Sequence, residues 1–125
     1  MHEIPGGPAL VDWFGFVPHF HDANLLEINL ASGAPSRLVI HCWRITDKVD
    51  QAGYFFHDRH AVVTITLYAV KCISLDHFDK VPAIIHDLTI TRVKDRFELA
   101  WSGSYGAEGA LQAKAVRIDL TPGRP

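Results

Sequence analysis

Apolar and polar residues alternate along most of this chain with the two-residue period of strands that bury one face. The cleanest run is 61–70, where Val63, Ile65 and Leu67 oppose Thr64, Thr66 and Tyr68. Residues 37–45 place Leu38, Ile40 and Cys42 on one side and Val39, His41, Trp43 and Ile45 on the other, so both faces are largely apolar and a central strand is expected. Residues 25–30 put Leu26, Ile28 and Leu30 on the expected buried side, against Glu27 and Asn29. Further strands are predicted at 84–93, at 96–102 with Phe97, Leu99 and Trp101 on one face, and at 110–120.

Turn formers separate these runs at 31–36, at Lys94 and Asp95, and at the glycine-rich stretch 103–109. Helical signals are few. Pro8 suits a first helical position, and residues 9–16 would give about two turns before Pro18. Residues 76–80 suit one helical turn ended by Pro82, and Pro5, Gly6, Gly7 and Pro8 predict a flexible N-terminal segment over 1–8. No long helix is available for parallel crossovers. The expectation is one domain over 1–125, mainly β and α+β only at the margin. Its core would be an antiparallel meander of about six to eight strands forming a curved sheet or sandwich, with a short N-terminal helix.

Composition narrows the partner classes. The 125 residues include 48% hydrophobic and 21% charged residues, ordinary for a folded domain that buries roughly two thirds of its unfolded surface. Twelve Lys and Arg balance fourteen Asp and Glu, so there is no basic footprint for nucleic acid. The apolar runs fall short of the ~20 residues of a spanning helix, and the first residues lack a secretory pattern. The expected location is the cytoplasm, with no membrane partner. Cys42 and Cys72 lie in strand-like runs without CxxC spacing, so both are expected as small buried hydrophobes rather than a disulfide or zinc pair.

Eight histidines are the compositional oddity. His19 and His21 would point the same way on an extended segment, and with His57 or His60 and Asp22 they could ligate a metal. A metal-binding or hydrolytic protein using His19, His21 and Asp22, with His57 as a further ligand, is therefore one alternative. No HExxH or GxSxG motif accompanies them, and histidines commonly serve as packed or surface hydrogen-bonding groups. Ser102 and Ser104 flank Gly103 without forming a nucleophile elbow, and Cys42 on a central strand would be a poor thiolate. The stretch 103–109 leads into a strand, unlike a phosphate loop, which opens onto a helix. No cofactor is implied. Residues 46–60 combine Asp47, Asp50 and Asp58 with aromatics at 54–56. They read either as an exposed hairpin folding its aromatics onto the core or as a protein-binding surface.

The segments 17–26, 40–55, 60–67 and 104–109, in that order and spacing, resemble the bacterial immunity protein 50 family of polymorphic toxin systems. The match includes His21, Asp22, Trp43, Asp47, Tyr54, Tyr105 and Gly106 as recurring positions, for folding or for binding; residues 80–87 depart from the family's pattern. The resemblance implies a small β-rich, non-enzymatic binder that neutralises a cognate toxin domain, with no catalytic residues to transfer. The remaining alternative is a structural, oligomer-forming domain without a toxin partner. For the residues themselves, the expectation is that Phe20 packs under the sheet while His21 or Asp22 hydrogen-bonds backbone amides where loop becomes strand.

Overall fold

The structure, a computed structural model, describes residues 1–53, 55–104 and 107–125, with backbone alone for 45–47 and 55–57. Helix α1 (Gly7–Phe14) precedes strands β1 (Asn24–Asn29), β2 (Ser36–Val49), β3 (Phe55–Tyr68) and β4 (Lys71–Asp76). A 3-10 turn (Phe78–Lys80) follows, then β5 (Ala83–Val93), β6 (Arg96–Gly103), β7 (Glu108–Ala113) and β8 (Ala115–Pro122). The protein is mainly β: all pairings are antiparallel, in one eight-stranded sheet of order β4-β7-β6-β5-β1-β2-β3-β8 that does not close into a barrel.

The expected meander is present twice, as β1-β2-β3 and β5-β6-β7, joined where β1 pairs with the start of β5 through Asn24–Ile84 and Leu25–Ala83. β4 and β8 break the pattern. Each is sequence-adjacent to a strand of the other half, β4 following β3 but pairing with β7, and β8 following β7 but pairing with β3. The two links meet where the Lys114 amide donates to the Tyr68 carbonyl at 2.9 Å. The expected single strand over 110–120 is therefore two, divided at Lys114, because the chain changes partner there.

Strict alternation in β3 buries Ala61, Val63, Ile65 and Leu67. Val63, Ile65 and Leu67 meet Leu38, Ile40 and Cys42 of β2, Val116 and Ile118 of β8, and Leu88, Leu99, Trp101 and Leu111 from the other half in one core. One core shared by both halves requires the sheet to curve around it. Leu10 and Phe14 of α1 cover one end, where the apolar stripe of the helix faces inward.

The N-terminal segment is docked rather than a flexible lead. Ile4 is buried, and the Ile118 amide donates to the Pro5 carbonyl at 2.8 Å, so the lead lies along the outer edge of β8. Gly6 makes this approach possible: its φ is +84°, and a β carbon there would lie 1.7 Å from the Ile118 oxygen.

The expected Leu26, Ile28, Leu30 face is also corrected. A β-bulge shifts the β1–β2 register between Leu25 and Glu27, so Leu25 is the fully buried residue while Ile28 and Leu30 stay on the core side. An extra residue reverses the alternation beyond it. β4 is announced only by the strand-like run around Cys72, in which Ile73 and Leu75 alternate with Ser74 and Asp76. Its Cys72, expected inside, is exposed at φ +51° where the β4–β7 register shifts, whereas Cys42 is buried as expected.

Candidate functional site

The segment between α1 and β1 shapes a cleft. Gly15, in the left-handed conformation, ends the helix and returns its amide to the Val11 carbonyl. The chain is then fastened to β5: the Leu88 amide donates to the His19 carbonyl, the Asp22 amide to Ile85, and the Ile85 amide to Ala23. Phe20 and Asp22 both take positive φ, +60° and +65°, so this is a tight turn and the extended geometry that would align His19 with His21 is absent. Phe20 packs under the sheet as the sequence predicts.

Phe14, Phe16, Val17, Phe20, Cys42 and Trp43 line the resulting cleft of about 280 Å³, with His19, His21 and Arg44 around it. Phe16 is 56% exposed and Val17 48%, so two adjacent apolar side chains stand in water at its rim. The polar rim is ordered by specific bonds. His19 Nδ1 lies 2.9 Å from Asp87 Oδ1 and His21 Nδ1 lies 2.8 Å from the His86 carbonyl. Carboxylates and carbonyls only accept, so both Nδ1 atoms carry the proton, and the Nε2 of each ring is a lone-pair acceptor when neutral. The Asp22 carboxylate is 3.6 Å from His21 Nε2. The expected side-chain latch onto backbone amides is thus replaced by an imidazole donating to a carbonyl, and the Asp22 contribution to the turn is made by its backbone.

Arg44 and Asp58 form a two-pronged pair across β2 and β3, at 2.9 and 2.8 Å. The Arg44 hydrogen bonds hold the Asp58 carboxyl below its ordinary range, against a smaller opposing effect of burial. A register shift between Cys42 and Arg44, with Arg59 at φ +51°, sets this pair. The bulge also aims Arg59 at α1: its guanidinium lies 4.2 Å over the Trp13 ring and donates to the Trp13 carbonyl, while the Trp13 indole donates to the Arg59 carbonyl. An arginine on a last-turn carbonyl satisfies an orphan helix acceptor.

Beside the cleft, on the outer face of β2 and β3, Arg124 donates to His60 Nε2 at 3.3 Å. The proton of His60 is then on Nδ1, which donates to His41 Nε2 at 3.0 Å. Trp43 meets both rings, edge-on to His41. Burial, and secondarily the charge of Arg124, lower the His41 pKa. At the cleft, burial pushes the Cys42 thiol up to about 12, so it is a neutral wall group and no nucleophile near neutral pH.

Of the residues singled out from sequence, His19, His21 and Trp43 surround one cleft and Asp22 adjoins it. Among the described residues no three His, Cys, Asp or Glu side chains come together as metal ligands. Tyr54, Tyr105 and Gly106, and the side chains of Asp47 and His57, lie outside the described residues. Sequence reasoning missed Phe16 and Val17, whose signal was their place in a proline-bounded loop, and the Arg44–Asp58 and His19–Asp87 pairs, which depend on bulges and long-range pairing. Among the described residues no helix is long and apolar enough to cross a membrane.

Comparison with known protein families, curated proteins and solved structures finds no match for this chain.

Proposed function

We propose that this protein is a non-enzymatic, immunity-type binder that neutralises a cognate bacterial toxin domain in the cytoplasm by seating an apolar side chain of the toxin in the cleft. The observation that carries this reading is the exposed Phe16 and Val17 pair beside an aromatic-walled cleft with an ordered polar rim. Interfaces concentrate their energy in such places, where an aromatic anchor fills a pocket and surrounding polar groups exclude water and set orientation. His21 and Trp43, two of the positions shared with the immunity resemblance, border this cleft.

The test is growth of cells co-expressing this protein with the toxin domain encoded beside its gene. Wild type should restore growth, and Phe16→Asp or Trp43→Ala should weaken toxin binding by about 2 kcal/mol or more, roughly thirtyfold, as expected for an interface anchor. Both variants should keep the wild-type circular dichroism spectrum. Full protection by both variants would overturn the reading.

The oriented His19–Asp87 pair favours a second reading, a hydrolytic or metal-binding centre in which His19 Nε2 acts as base or ligand. His19→Gln separates the two: it keeps a polar rim group and should weaken toxin binding only a few-fold in the binding reading, but should abolish turnover or metal uptake in the other.

A further inference from the structure

The two ends of the sheet are treated differently. The outer edge of β8 is occupied by the Pro5 lead, whereas β4, at the opposite end of the strand order, has no strand on its outer side among the described residues. Ile73, in the middle of β4, is 52% exposed. An unpaired, partly apolar edge is a template for another strand.

Its charges say which strand. Lys71 begins β4, with Lys114 and Arg96 sharing its surface hollow; Asp95 there offsets part of that charge. Asp76 ends β4 directly opposite Glu108 of β7. Like charges facing across a ladder are unfavourable, and among the described residues neither carboxylate makes an ion pair within the chain. The edge is therefore basic at one end and acidic at the other.

We infer that β4 is a self-association edge, pairing antiparallel with β4 of a second copy about a two-fold axis near Ile73 and Ser74. In that arrangement the basic end of each copy lies on the acidic end of the other, and Lys71 relieves the Asp76–Glu108 repulsion. The two Ile73 side chains lose water beside the axis. A two-fold pairing is self-complementary by construction, and a single strand with opposite charges at its ends satisfies it. The bulge at Cys72 confines regular pairing to Ile73–Asp76, leaving Lys71 to contribute charge rather than ladder.

Sedimentation velocity on the full chain tests this. Wild type should run as a dimer at about 100 µM and dissociate with added salt, and Asp76→Lys or Lys71→Asp should each weaken the dimer at least tenfold. Loss of the dimer in Asp76→Lys would not reflect unfolding, because that change puts an opposite charge across from Glu108; an unchanged melting temperature verifies it. The double exchange Lys71→Asp with Asp76→Lys should restore the dimer. A monomeric wild type at that concentration, which would leave the edge to a different chain, overturns the inference. So does a dimer indifferent to the single changes, or a double exchange that stays monomeric.

Discussion

Asp22 shows how a chemically suggestive residue can be chosen for its backbone. Its amide is bonded to Ile85, its φ is +65°, and its carboxylate lies 3.6 Å from His21, its one ion-pair contact among the described residues. Asp tolerates the left-handed region better than Ala does, because its short polar side chain can bond locally. Asp22→Ala should therefore cost about 1 kcal/mol in a urea melt, and Asp22→Gly should fall within about 0.5 kcal/mol of wild type. An equal loss in both would return the role to the carboxylate. Nothing in the order Phe20, His21, Asp22 announces two positive φ values, which is why the sequence reading aligned His19 with His21 and the structure turns them to Asp87 and His86 instead.

At the scale of elements, period-two alternation was enough to find β2, β3, β5 and β6, and Pro8 with the apolar residues after it located α1. The misses share one cause: structure that depends on a distant partner. The bulge at Leu26, the division at Lys114 and the pairing of β4 with β7 answer to strands far away in sequence, and local periodicity carries no record of them. The docked lead is the same kind of miss, since Pro5 and Gly6 read as breakers until Ile118 is placed beside them. Gly6→Ala should cost about 3 kcal/mol or more, combining positive-φ strain with a backbone clash. Gly15→Ala, at the same φ of +84° but with nothing within 4 Å, should cost only the strain, about 1 kcal/mol. Denaturation midpoints of the two variants check the difference, and equal losses would refute the close approach.

For the whole molecule, the two perturbed groups that titrate on the acid side, His41 and Asp58, point in one direction. His41 is lowered from 6.5, so as pH falls below 6.5 the unfolded chain takes its proton first and stability declines until the folded pKa is passed. Asp58 is lowered from 3.8, so the Arg44 pair stabilises above that value and its contribution disappears as pH drops through the folded pKa. Melting temperatures should therefore fall in two acid steps; His41→Gln should flatten the first and Asp58→Asn the second. Fold class was legible because alternation is a local signal repeated many times. The cleft was legible only in part: His19, His21 and Trp43 are recognisable as chemistry, but their convergence is made by turns and bulges.

The seal between Pro5 and Ile118 ties together segments more than a hundred residues apart in synthesis order. During translation β3 waits with one edge uncovered until β8 has left the ribosome, and the first residues can settle only after that. Closure of this kind belongs to the slow, high contact-order class of folding, milliseconds to seconds, and during that interval the edge of β3 is open to strands other than its own.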